Sequence, residues 1–138
     1  MGIEWDQSGN LPPLKAEPPP VVPVEKLAAV GQVTLSAGDV RVGALREFYE
    51  RILGLSYAGA DEEGVYFTHE VRRIRLRWDT PEAGRAAFLL RNFGDAMLRL
   101  RGKQITYELI HADGGLSRMA IVRDPAGNWV YLLETRPL

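Results

Sequence analysis

The hydrophobic positions of residues 30–79 first alternate and then recur at helical spacing. Residues 31–37 alternate apolar and polar side chains, which predicts a β-strand. A helix is predicted next, because Asp39 is a suitable N-cap residue and Gly54 a suitable C-terminal stop. The apolar face of this helix consists of Leu45, Phe48, Ile52 and Leu53. Three further strands are predicted at residues 55–60, 65–69 and 72–78.

The same order of patterns returns after a linker at residues 80–84. A strand and a short helix ending at Gly102 are followed by three more strands. The predicted ranges are 85–91 for the first strand, 94–102 for the helix, and 104–111, 117–123 and 128–134 for the last three strands. The chain is therefore predicted to have an α+β fold with two βαβββ modules. Each four-stranded sheet buries one face on its helix, and the other two faces form the inside of a cup.

One folded domain is predicted, covering residues 30–138, with module one at 30–79 and module two at 85–135. Residues 1–29 form a proline-rich N-terminal arm, since six of the nine prolines lie between positions 12 and 23. The arm is either a disordered leader or a segment that packs across a partner subunit. The apolar residues available for such packing are Val21, Val22 and Val24.

The composition is that of an ordinary globular protein. Of 138 residues, 25% are charged and 46% are hydrophobic, and the formal net charge is −1. This charge balance gives no overall field that would attract nucleic acid or an anionic membrane. The chain contains no cysteine, which excludes disulfides and thiolate metal sites. The N-terminus has acids and prolines where a signal peptide needs basic and apolar residues, so a cytoplasmic location is expected.

Several of these segments together resemble the vicinal oxygen chelate superfamily. They are the strand Gln32-Val33-Thr34-Leu35, the helix end FYERILGL, and the turn Asp124-Pro125-Ala126-Gly127-Asn128 that leads into the last strand. The resemblance covers residues 30–135. The superfamily includes glyoxalase I, extradiol dioxygenases, fosfomycin-resistance proteins and bleomycin-binding proteins, and the resemblance implies their fold of two βαβββ modules.

The resemblance also implies four positions for metal ligands on the inner face of the cup. Members that use a metal place His, Gln or Glu there, ligands suited to divalent iron, manganese, nickel or zinc. In this chain the four positions hold Gln32, Arg75, Arg85 and Tyr131. Only Gln32 is a competent ligand at neutral pH, because arginine stays protonated and tyrosine has a reference pKa of about 10. We therefore expect no metal at the family site.

A ligand of another kind is suggested by the alternation of the strand at 72–78. Ile74, Leu76 and Trp78 share one face, which leaves the arginines Arg73, Arg75 and Arg77 on the other. Together with Arg85, Trp129 and Tyr131 they predict a cup lined by cations and aromatic rings, suited to an anionic or aromatic small molecule. The alternative is that acids neutralise these arginines on a solvated sheet face. The candidate acids are Asp79, Glu108 and Glu134.

The leading functional hypothesis is a metal-free protein that binds and sequesters a small molecule, paired as a homodimer by analogy with the bleomycin-binding relatives. Whether the chain is an enzyme stays open. The alternative is a metal-dependent glyoxalase-like lyase or isomerase, or an extradiol-type dioxygenase, using ligands out of register such as His69, Glu108 and His111. A variant enzyme would use Tyr131 or Glu108 as base. A third hypothesis is an interaction module whose proline-rich arm docks on another protein.

Overall fold

Two four-stranded mixed sheets, each with a helix on one face, make up the described part of the chain. The computed structural model describes residues 31–80, 82–112 and 117–134. The predicted N-terminal arm lies outside these ranges. The α+β fold predicted from the sequence is confirmed.

Module one runs from strand β1 to strand β4, with a helical segment after β1. Its elements are β1 (Gln32–Ser36), α1 (Val42–Arg46), a π-helical continuation (Glu47–Ile52), β2 (Ser56–Ala60), β3 (Gly64–His69) and β4 (Arg72–Arg77). The order in the sheet is β1-β4-β3-β2, with β1 parallel to β4 and the other pairs antiparallel.

Module two repeats this order. Its elements are β5 (Arg85–Leu90), α2 (Phe93–Gly102), β6 (Tyr107–Ala112), β7 (Ser117–Arg123) and β8 (Trp129–Glu134). The sheet order β5-β8-β7-β6 matches that of module one, again with its first and last strands parallel.

Two boundaries differ from the sequence prediction by more than one residue. Asp39 is not the N-cap of the first helix, because a turn closed by Val40 N donating to Ala37 O (3.2 Å) places it before the helix. The helix begins at Val42, after Arg41. Strand β6 begins later than predicted, at Tyr107. The reason is that Gln104 has a φ of 59° and the following residues still close the end of α2.

The larger of two described hydrophobic clusters lies between the helices and the two sheets. Leu35, Phe67, Ile74 and Leu76 face it from the first sheet, and Phe88, Val130 and Leu132 face it from the second. The helical segments contribute Phe48, Tyr49, Phe93 and Leu100. The side chains that alternate with these core residues point to the opposite, inner face of each sheet.

Asn128 joins the two modules where β1 ends and β5 begins. Its Oδ1 accepts hydrogen bonds from Ser36 N (3.1 Å) and Gly84 N (2.7 Å). Its Nδ2 donates to Ser36 O (2.6 Å) and to Asp124 Oδ2 (2.7 Å). The side chain is fully buried, so all of its hydrogen-bonding capacity is used within the protein.

Asp124 is the second buried polar residue of this joint and gives the fold a pH response. Burial raises the pKa of its carboxyl, although hydrogen bonds from Tyr49, Asn128 and Ala126 oppose the shift. The native carboxyl therefore keeps its proton to a higher pH than the unfolded one. Its contribution to stability is present in acid and is lost as the pH rises through the native pKa.

Compared with the wild type, Asp124→Asn is expected to gain relative stability as the pH rises from about 4 to about 7. Other carboxylates titrate in both proteins, so the difference in free energy of unfolding isolates this group. Urea unfolding of both proteins across the pH range provides the measurement. A difference that stays constant with pH would contradict the assignment.

Candidate functional site

The inner face of the first sheet is rich in arginine because β4 alternates as predicted. Ile74 and Leu76 lie in the core, and Arg73, Arg75 and Arg77 project from the opposite face. Register places polar neighbours on both sides of β4. Arg73 lies between Gln32 and Thr68, and Arg75 lies between Thr34 and Tyr66.

A cleft of about 360 Å³ lies over this face. Its lining side chains include Gln32, Ala58, Tyr66, Thr68, Arg73 and Arg75, contributed by all four strands of the sheet. Sequence reasoning identified Gln32 and the two arginines; the structure brings these three together. It also adds Ala58, Tyr66 and Thr68, which we had not predicted as ligand-binding residues.

A β-bulge in β2 shapes one side of the cleft. The register with β3 steps from Tyr57–Phe67 to Gly59–Tyr66, which leaves Ala58 as the extra residue. Gly59 has a φ of +123°, a backbone conformation that favours glycine. Bulges often occur beside functional sites, where they redirect a side chain. A glycine inside a predicted strand was the sequence signal for this feature.

The arginines of β4 differ in their partners. Arg77 pairs with Asp79 through two hydrogen bonds of 2.9 and 3.0 Å and lies 3.9 Å from Glu63. Among the described residues, Arg73 and Arg75 have no carboxylate within 4.0 Å. These two guanidinium groups are therefore available to an anion.

Arg75 shows this most clearly. Its Nη2 is 3.4 Å from Thr34 Oγ1, which is at the long limit of a hydrogen bond. Its Nε is buried and has no hydrogen-bond partner in the described part of the chain. A buried donor without a partner costs free energy, and an oxyanion in the cleft would supply the acceptor.

The acids proposed as counterions behave differently from one another. Asp79 neutralises Arg77, as that alternative required. Glu134 instead pairs with Arg118 through hydrogen bonds of 3.0 and 2.8 Å. Glu108 makes no ion pair with a described residue. Within the described residues, neutralisation by protein acids thus accounts for Arg77 but not for Arg73 or Arg75.

The inner face of the second sheet is largely apolar. Ala87, Ile121, Trp129 and Tyr131 form a buried cluster there, with Ile110, Met119 and Leu133 beside it. The register sets Arg85 beside Trp129 and Ala87 beside Tyr131. The predicted residues Arg85, Trp129 and Tyr131 therefore belong to neighbouring strands of one sheet, whereas those of the described cleft belong to the other.

Tyr131 is 2% exposed, and its hydroxyl has no hydrogen-bond partner among the described residues. Burial raises the pKa of this hydroxyl, and the nearby Arg85 lowers it by less. The group therefore stays protonated and is a hydrogen-bond donor. A protonated hydroxyl cannot act as the catalytic base, which is the role that the variant-enzyme hypothesis gave to Tyr131.

The family metal does not fit the residues present. The four ligand positions hold one amide, two guanidinium groups and the protonated phenol of Tyr131, so Gln32 is the single competent donor. The described residues also contain no group of three or more His, Asp or Glu side chains placed to hold a metal ion. The alternative set of His69, Glu108 and His111 is therefore not assembled.

A smaller cleft of about 190 Å³ lies near the ends of β3 and β5. Its charged groups are already engaged. Arg91 lies 3.4 Å from Glu70, and Arg99 donates to Ile52 O at 2.9 Å. His69 Nε2 lies 2.9 Å from Leu89 O. The larger cleft is thus the better candidate site.

Arg72 is a residue whose role we did not predict. It is 6% exposed, donates from Nη1 to Ala87 O of the other module, and lies over the Phe88 ring at 5.0 Å. The sequence did indicate its position, because the alternation of β4 places Arg72 on the same face as Ile74 and Leu76. Arg72 therefore belongs to the contact between modules and not to the cleft.

Solved structures with this fold share little sequence with the chain. A protein from Bacillus anthracis described as a glyoxalase family member superposes with a TM-score of 0.64 at 19% identity, covering 78% of this chain and 94% of its own. Lactoylglutathione lyase from Agrobacterium tumefaciens gives 0.61 at 21%, covering 78% and 93%. Oxidase ChaP-H2 gives 0.63 at 24%, covering 78% and 93%.

The chain therefore has the same fold as these structures, which confirms the fold of two βαβββ modules that the resemblance implied. No family model matches the sequence, and no curated protein does so either. At identities this low the solved structures establish the fold, and the chemistry of the site depends on the residues of this chain. Within the described residues, no helix is long and apolar enough to cross a membrane.

Proposed function

We propose that this protein binds a small anionic molecule, without a metal ion, over the inner face of its first sheet. The observation that carries the proposal is the pair Arg73 and Arg75, which line a cleft and have no carboxylate partner in the described chain. Sequestration of such a molecule is the biological role we favour. The proposal keeps the homodimer and the cytoplasmic location expected from the sequence.

The energetics favour an anion over a neutral ligand. A guanidinium that is partly removed from water needs a charged or hydrogen-bonding partner, and the buried Nε of Arg75 has none in the described chain. Carboxylate and phosphate groups accept paired hydrogen bonds from arginine, and charge-assisted bonds are about twice as strong as neutral ones. Gln32 and Thr68 add neutral donors at the same cleft.

Two of the structural relatives carry the names of enzymes, a lactoylglutathione lyase and an oxidase. A metal-dependent reaction of the superfamily's kind needs several anionic or neutral ligands around one ion. The ligand positions of this chain hold two cations instead. Binding without metal chemistry is therefore the function that the residues support best.

Removing one charge from the cleft is expected to weaken anion binding by about 10- to 100-fold, since a hydrogen bond to a charged group contributes about 1.5 to 3 kcal/mol. The variants are Arg73→Gln and Arg75→Gln. Isothermal titration calorimetry against a panel of acetate, benzoate, phenyl phosphate and inorganic phosphate measures the loss.

Arg77→Gln is the matched control. It removes the same charge from the same face of the same strand, but from an arginine that already pairs with Asp79. Its affinity for the panel is expected to stay close to that of the wild type. Equal losses in all three variants would show a general field effect and contradict a defined site. A wild-type protein that binds no member of the panel would contradict the proposal itself.

A further inference from the structure

We propose that the anion bound over the first sheet carries a flat unsaturated body, such as a single aromatic ring, and that Tyr66 selects it. This inference rests on the proposed function and names the class of its ligand. The acid group lies at Arg73 and Arg75, and the ring lies against the face of Tyr66, toward Ala58. These four residues line one cleft.

The first step of the argument is the fixed position of the Tyr66 ring. Tyr66 pairs directly with Arg75 in the sheet register. Its hydroxyl donates to Asp61 Oδ1 at 2.9 Å, and the same oxygen accepts from Glu63 N at 2.8 Å and Gly64 N at 3.1 Å. The ring is thus held by its strand at one end and by the β2–β3 turn at the other.

The second step concerns which part of Tyr66 a ligand can use. Because the hydroxyl is already bonded to Asp61, it is not the group that receives the ligand. The ring face remains, beside a guanidinium that itself stacks on planar groups. A flat body gains from both surfaces, and aromatic pairs prefer offset or edge-to-face contact. A saturated ring of similar size cannot approach either surface as closely.

The third step is the space beside Tyr66, over the neighbouring strand β2. The bulge in β2 leaves Ala58 unpaired beside the cleft, and the next residue is a glycine at positive φ. Alanine and glycine are the two smallest residues, so neither side chain fills this part of the cleft. The resulting volume of about 360 Å³ is near the lower end of the range for small-molecule sites. It fits one ring with an acid group better than a large conjugate.

The test compares ligands that differ in one property. Benzoate and cyclohexanecarboxylate differ in planarity, acetate lacks the ring, benzyl alcohol lacks the charge, and phenyl phosphate changes the acid group. Calorimetry on the wild type is expected to give benzoate an affinity about 3- to 10-fold above that of cyclohexanecarboxylate, as ring–ring contacts typically provide. Benzyl alcohol is expected not to bind. The ratio of benzoate to phenyl phosphate affinity identifies the acid group.

Two variants at Tyr66 separate the contribution of the ring from that of the hydrogen bond to Asp61. Tyr66→Leu is expected to reduce the preference for benzoate over cyclohexanecarboxylate to about 1, because the ring contact is lost. Tyr66→Phe keeps the ring and loses only the bond to Asp61, so it is expected to retain the preference. Ala58→Leu is expected to weaken benzoate binding more than acetate binding, because the larger side chain occupies the space of the ring.

The outcomes distinguish this inference from the function on which it rests. Equal affinities for benzoate and cyclohexanecarboxylate, lost together in Arg75→Gln, would overturn the inference and leave anion binding intact. So would a preference that Tyr66→Phe abolishes as completely as Tyr66→Leu does. If no ligand binds in a manner that depends on Arg75, the proposed function fails first.

Discussion

Replacing Asn128 with aspartate is expected to lower the free energy of unfolding by about 3 to 5 kcal/mol, the range for leaving a buried charge without a partner. The substitution keeps the shape of the side chain and its acceptor for Ser36 N and Gly84 N. It replaces the donor Nδ2 with an oxygen that faces Ser36 O and the Asp124 carboxyl. Acceptors then oppose acceptors in a site without solvent. Urea unfolding followed by tryptophan fluorescence measures the change.

Asn92→Asp is the matched control for this prediction. Asn92 is exposed and precedes α2 without a side-chain capping bond, so the same chemical change there is expected to alter stability by less than about 0.5 kcal/mol. If Asn128→Asp unfolds at the same urea concentration as the wild type, Asn128 does not join the modules as described.

Three substitutions are expected to create a metal site. Arg75→Glu, Arg85→His and Tyr131→Glu, together with the native Gln32, would place a superfamily-like ligand set at all four positions. Zinc or nickel at about 100 times its dissociation constant adds about 2.7 kcal/mol of stability. The melting temperature of the triple variant should therefore rise by about 5 to 10 °C with metal. Thermal unfolding with and without metal, together with mass-spectrometric metal analysis, provides the test.

The control for the metal prediction moves one ligand by two residues. A variant with Arg73→Glu, Arg85→His and Tyr131→Glu has the same composition and charge as the triple variant. Its carboxylate on β4 is at position 73, two residues before the ligand position 75. It is expected to show a much smaller shift, as is the wild type. A folded triple variant that takes up no metal would show that the four positions do not converge.

The fold could be predicted because its signals are local. The alternation of Ile74 and Leu76 with their arginine neighbours defined both faces of β4, and the structure keeps those faces. The turn at residues 124–128 was visible from its proline and glycine. The N-cap at Asp39 was wrong because the preceding residues form a turn of their own before the helix starts. The capping preferences of single residues do not show that such a turn forms in place of the first helical turn.

The site could be predicted less completely, because it depends on which side chains meet. Sequence reasoning supplied Arg73 and Arg75 but could not tell them from Arg77, whose ion pair with Asp79 depends on side-chain conformation. Glu134 was a candidate partner for the cup arginines and instead meets Arg118 on the neighbouring strand. Tyr66 lies in the cleft because the strand register places it beside Arg75, and its ring is held by a hydrogen bond to Asp61 that no periodic pattern encodes.

The joint at Asn128 has a consequence for how the chain could be divided. The bonds from Asn128 to Ser36, the bond from Arg72 to Ala87 and the shared core all connect module one to module two without using the peptide bonds of the linker. Two separate polypeptides ending and beginning in that linker would retain these contacts. The two halves thus meet through a shared apolar core and buried hydrogen bonds, which makes the chain a candidate for fragment complementation.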